Sequence, residues 1–224
     1  MIRNHKWKLI ISSVILLLPI LVGLILWDSL PDQLVTHWGI DGQPDGWSSK
    51  SFVVFGLPLI LLTIHWLGIF FTVKDPKNAA QSPKIIGMMP WLVPLLSLLV
   101  SGTTYATALG TAFDMLTLSC LFMGLLFTVI GNYLPKCKQS YTIGIKISWT
   151  LNSEANWLAT HRFAGRVWTV GGLLVMIFAF LPTSAASVCA LSVLIVMAVA
   201  PMIYSYRYHK KEVTASKNGD STQN

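Results

Sequence analysis

Three histidines stand where an imidazole could do chemistry. His37 lies in LPDQLVTHWGIDGQPDGWSSK, Leu30 to Lys50, among Asp32, Asp41 and Asp45. Neutral imidazole with carboxylates suits several divalent ions, so a metal site is one reading. The spacing matches no defined metal motif, and Asp is equally a turn residue. Trp38 and Trp47 beside these acids make the stretch a candidate contact surface for a partner or peptide. His65 is isolated in LLTIHWLG, an apolar run where an ionisable group is costly and usually faces a partner or a cavity. A packed, hydrogen-bonded neutral imidazole is the alternative. His161 precedes Arg162 at the end of a long polar segment and reads either as a ligand-binding or catalytic pair or as part of a membrane-surface helix. Cys120, Cys137 and Cys189 are scattered, which supports neither a disulfide framework nor a zinc site. No catalytic residue, metal or cofactor is assigned.

The elements that carry these residues follow from composition. Of 224 residues, 54% are apolar and 11% charged, and the mean hydropathy is +0.62. Soluble domains carry about 25% charged residues. The pattern predicts an all-α integral membrane protein with six spans, near Leu9–Trp27, Phe52–Val73, Ile85–Ala106, Met115–Leu134, Val167–Leu181 and Ala185–Tyr206. In this arrangement every Lys and Arg except Lys50 falls on one side, which predicts both termini in the cytoplasm. The net charge of +7 therefore reads as topology, not as nucleic-acid binding. The basic start and first apolar run resemble a signal peptide without a small-x-small cleavage site, so an uncleaved anchor is expected. Pro19, Pro58, Pro90, Pro94 and Pro201 fall within spans, and no GxxxG pair does.

The glycines of Leu30–Lys50 predict a compact run of turns outside the membrane. The long connection GNYLPKCKQSYTIGIKISWTLNSEANWLATHR lies on the opposite side. Asn132, Tyr133 and Pro135 close span four, and Lys136 and Lys138 sit where anionic headgroups would attract them. An extended segment or turn is expected around Gly144, with Lys146 beyond it. A helix then starts near Trp149, Thr150, Asn152 and Ser153. Trp157, His161, Ala164 and Trp168 recur on one of its faces, with Thr160 nearby and Arg162 and Arg166 on another. Trp149 and Trp157 are expected to anchor this helix at the bilayer interface.

This segment resembles the signature of the SdpI-like family, immunity proteins to the sporulation-delaying protein toxin. Gly131, Asn132, Tyr133, Pro135, Lys136, Gly144, Trp149, Thr150, Trp157, Thr160, His161 and Arg162 match its pattern. Ser140, Lys146 and Ser148 replace the usual Asn, Arg and Pro. The outer LP, HW and PDGW elements resemble a small N-terminal domain of unknown function that often precedes the family. The resemblance implies a bacterial plasma-membrane protein that confers resistance to a secreted peptide toxin and holds a cytoplasmic transcriptional repressor at the bilayer. The chain then divides into an N-terminal three-span region 1–110, an SdpI-like region 111–212 and a tail 213–224 whose polar composition predicts disorder. A membrane-embedded metal-dependent enzyme or small-solute transporter, using His37, His65 or His161, is the alternative.

Overall fold

A computed structural model describes residues 2–221 of the chain, with side chains placed for 6–215. Two compact units divide it. The first comprises residues 1–79 and 83–118 and the second residues 80–82 and 119–224.

In the first unit, α1 (Ile2–Ile25) leads through a short turn into an antiparallel hairpin of β1 (Gln33–Trp38) and β2 (Pro44–Ser49). A π-helical turn, Phe52–Gly56, opens α2 (Leu57–Lys74), and α3 (Pro83–Ala108) follows. The hairpin corrects the expected run of turns and qualifies the all-α class. Its ladder is broken by bulges between Val35 and Trp38, which hides the period-2 alternation in the sequence. Gly42, with φ +76°, turns the chain, and the Asp41 carboxylate accepts the Gln43 amide. The hairpin sits on a core of Leu30, Leu34, Val53, Val54 and Tyr105. Lys50 closes its base: Nζ donates to the Trp27 carbonyl at 3.1 Å, lies over the Trp27 ring and reaches Asp32 at 3.8 Å. Thr104 of α3 donates to the Val35 carbonyl and Tyr105 to the Pro19 carbonyl of α1.

The second unit carries α4 (Met115–Tyr133, whose first turn groups with the first unit), α5 (Ser148–Asn152), α6 (Glu154–Phe178) and α7 (Thr183–Ser221). Glycines let α4 and α6 approach backbone to backbone. A Cβ on Gly131 would lie 2.6 Å from the Thr169 amide nitrogen, and one on Gly172 would lie 2.5 Å from the Gly124 carbonyl. Gly124 meets Met176 and the Gly172 carbonyl of α6 as closely, and Gly165 meets Pro135, just past α4, and the Gly131 carbonyl. The absence of a GxxxG pair did not exclude close packing, because these glycines are spaced by seven. Each helix carries the same G-x3-T-x2-G sequence, at Gly124–Thr128–Gly131 and Gly165–Thr169–Gly172. On the other side of α6, Gly171 admits Met197 of α7.

Among the described residues, five helices are long and apolar enough to cross a membrane: Lys6–Ile25, Phe52–Lys74, Pro83–Ala108, Met115–Lys136 and Thr183–Ala215. The remaining expected span, Val167–Leu181, is the apolar second half of α6 and the turn after it. The helix α7 continues to Ser221 through most of the stretch expected to be a disordered tail; extending an existing helix carries no new nucleation cost. Residues 222–224 of that tail lie outside the described residues.

Candidate functional site

The GNYLPK-to-THR segment folds around a buried pair. Trp157 and His161, one turn apart on α6, are both fully buried, and their rings stack at 4.0 Å with 19° between planes. Ser153 caps this helix by accepting the Asn156 amide, which fixes where the 3.6-residue period starts. The face predicted from sequence is therefore real, but it turns inward. Trp157 is not at a surface: its indole nitrogen donates to the Cys137 carbonyl at 2.8 Å. Trp149 is half-buried against Tyr206 and His209 of α7.

Hydrogen bonding fixes the state of His161. The Ile145 amide donates to Nε2 at 2.9 Å, so Nε2 is an acceptor. The proton of the neutral ring then lies on Nδ1, which donates to the Trp157 carbonyl at 2.8 Å. Burial drives the pKa down from 6.5 to about 4, with the bond to Trp157 opposing it. Both nitrogens are committed to backbone, so this imidazole is a strut and neither a general base nor a metal ligand in this conformation. Gly144 completes the arrangement. Its φ is +106°, and a Cβ there would stand 2.6 Å from His161 Nε2 and 2.8 Å from the Trp157 ring.

Polar side chains hold the rest of the loop, and of these the sequence reading singled out Thr150, Thr160 and Ser140 but not Gln81, Gln139, Asn156 or Ser205. Thr150, fully buried, donates to the Ile145 and Ile147 carbonyls and accepts the Ile147 amide. Gln139 donates to the Thr150 and Leu151 carbonyls. Ser140 accepts the Thr142 and Ile143 amides and so closes a tight turn. Gln81 brackets Lys138, donating to its carbonyl and accepting its amide, and also donates to the Cys137 thiol. Burial pushes that thiol up to about 11, with the Gln81 bond opposing. Asn156 donates to the Ser205 carbonyl and accepts from the Thr160 and Ser205 hydroxyls, tying α6 to α7. A cluster of small hydroxyl and amide residues around Trp149, Trp157 and His161 is the sequence signal these contacts leave.

What this scaffold exposes is charge. Lys136, Lys138, Lys146, Arg162 and Arg166 all lie on the surface, as do Asn132 and Pro135. Lys136 stands over the half-buried Tyr133 ring, and Lys146 donates to the Thr142 carbonyl.

The hairpin presents a second set. His37 Nδ1 and Asp45 Oδ1 are 2.5 Å apart on an exposed face, and Trp47 is 56% exposed two residues from Asp45. Gly46 makes the pair possible, since a Cβ there would meet His37 Cβ at 2.9 Å. Asp32 and Asp41 are exposed and Trp38 is half-buried. Among the described residues, no group of three His, Cys, Asp or Glu is placed to hold a metal ion. His65 has the partner its sequence context concealed: Nε2 is 3.1 Å from Ser12 Oγ of α1, with both residues buried.

The chain matches known proteins along both parts. The family described as Domain of unknown function (DUF1648) matches residues 14–62, which include the hairpin. The SdpI/YfhL protein family matches residues 136–205, which include the Trp157–His161 pair and all its buried partners except Gln81. The Immunity protein SdpI of Bacillus subtilis (strain 168) is 29% identical over 206 residues, 91% of this chain and 97% of that protein. No solved structure matches the chain. Two family matches in this order, a match over nearly the whole of a relative and a set of apolar helices make the chain a multi-pass membrane protein that carries an SdpI/YfhL family region, residues 136–205, behind a DUF1648 region.

Proposed function

We propose that this protein is a membrane immunity protein that protects its host from a secreted peptide toxin. The observation that carries the reading is the near end-to-end match to an immunity protein, which leaves little of either chain unmatched. In this reading the chain crosses the plasma membrane six times with both termini in the cytoplasm. Charge supports that topology, since Lys50 alone among the basic residues falls outside. Lys50 is largely withdrawn from solvent on the Trp27 carbonyl and ring, so the exception has a structural task. The β1–β2 hairpin then faces outward and offers Trp47, Ile40, Asp41 and Asp45 to an apolar peptide. The 131–166 segment faces inward, its buried core holding Lys146, Arg162 and their neighbours in place for a repressor or a lipid phosphate. No reaction is assigned to either surface.

The test is expression in a toxin-sensitive host that carries a reporter for the repressor, with membrane abundance measured in parallel. The wild-type chain should restore growth. Trp47→Ala with Asp45→Ala should lose protection at normal abundance. Lys146→Glu with Arg162→Glu should keep protection and lose repressor recruitment. Failure of an abundant wild-type chain to protect would end the immunity reading. Wild-type behaviour of both variants would remove the two surfaces from it.

A further inference from the structure

The first unit carries hydroxyls that break a rule kept elsewhere in the molecule. Thr63, Thr72, Thr128, Thr169 and Ser192 each donate to the backbone carbonyl one turn back on their own helix. That is the usual way to satisfy a hydroxyl in hydrocarbon, where no solvent can do it. Ser97 and Ser101 of α3 do not. Both are at least 97% buried, and neither Oγ has a protein partner within hydrogen-bond distance; Ser13 of α1 is half-buried, and its Oγ also lacks one.

These residues lie close to one level of the unit. The Tyr105 hydroxyl reaches the Pro19 carbonyl at 2.9 Å, which registers α3 against α1. Counting back along both helices at ~1.5 Å per residue brings Ser101 near Leu16 and Ser97 near Ser12 and Ser13. Ser12 in turn is bonded to His65 of α2. An acceptor is at hand as well. Pro94 sits on the same buried face of α3 as Ser97 and Ser101 and has no N–H, so the Pro90 carbonyl, which points toward it from about a turn below Ser97, loses its usual donor.

We infer that the interior of the first unit binds ordered water between α1 and α3, held by the Ser97 and Ser101 hydroxyls beside the Ser12–His65 pair. A buried water takes two to four hydrogen bonds, and orphaned hydroxyls with a proline-released carbonyl are the groups that supply them. A hydroxyl left dry there gives up its bonds to water and gains none in return, so a bound water is the cheaper arrangement.

The experiment is radiolytic hydroxyl-radical footprinting of the full chain in lipid nanodiscs, where bound water generates radicals in place. Buried Leu16 and Pro94 should be oxidised several-fold more than lipid-facing Leu21 and Leu95. In Ser97→Ala with Ser101→Ala that excess should vanish and the melting temperature should fall, because the water loses its anchors. Equal oxidation of the buried and lipid-facing residues in the wild type overturns the inference, and that measurement stands even if the variant does not fold. An excess that survives the double substitution overturns it too. So does a rise in melting temperature, which is the result expected for two hydroxyls removed from a dry seam.

Discussion

Acid should unfold this protein partly through one side chain. His161 is fully buried and neutral, with Nε2 accepting from Ile145 and Nδ1–H donating to Trp157. Protonation would place a second N–H against the Ile145 N–H and charge a ring with no solvent around it. Its pKa falls from 6.5 to about 4 on folding. The unfolded chain therefore takes up a proton below pH 6.5 that the folded chain refuses until about pH 4. Stability from this group is complete above the upper value and is lost as pH falls toward the lower one. A drop of that size corresponds to about 3 kcal/mol, at ~1.4 kcal/mol per pH unit. The assay is denaturant titration in mild detergent followed by Trp fluorescence, at steps from pH 7.5 to 4. His161→Gln keeps a donor and an acceptor but cannot titrate. It should be less stable than wild type at pH 7.5, by about 1–2 kcal/mol for the lost ring stack. It should also lose less stability on acidification. Cys137, the titratable neighbour in this core, is held up at about 11 and is silent in that range. Equal acid sensitivity in the two proteins would refute the assignment of a neutral, doubly bonded imidazole.

The glycine contacts make an opposite-sign pair of predictions. Gly131→Ala should destabilise by about 1–3 kcal/mol, since the new methyl meets the Thr169 backbone, while Gly68→Ala, with nothing within 4 Å, should be neutral or stabilise by about 0.5–1 kcal/mol. Denaturant titration of the two variants decides it, and equal effects would refute the close approach. Cys137 should resist maleimide at pH 8 in the folded protein, and Gln81→Ala, which releases Lys138 and uncovers the thiol, should speed its modification; mass spectrometry of the labelled peptide reads both.

Much of the architecture was legible because it is written in bulk hydropathy. Five of the six expected spans are helices long and apolar enough to cross. Local chemistry was legible too: Ser153 caps α6, and the chain stops its fourth helix at Tyr133 before Pro135. What was hidden depends on which partner a face meets. Trp157 and His161 were placed on one face correctly, but periodicity cannot tell a face turned to lipid from one turned to protein. The hairpin was hidden by Pro44, Gly46 and two register shifts, which dilute strand signals with turn residues. His65 looked unpartnered because Ser12 lies 53 residues away in sequence. The helix contact between α4 and α6 escaped a search at a four-residue interval because its glycines recur at seven.

That contact has a mechanical consequence. Gly131 faces Thr169 and the Gly165 carbonyl, and Gly172 faces Thr128 and the Gly124 carbonyl, so the two helices present the same surface to each other in opposite directions. The pattern is its own complement under a half-turn, and it fits in one register. Sliding α4 along α6 by a single turn would carry each bare backbone off its partner and set side chains where no Cβ has room. The pair can pivot about the glycines but cannot act as a piston. If binding at one end of this unit is to be felt at the other, the movement must be a rotation or a tilt, or it must travel along α7.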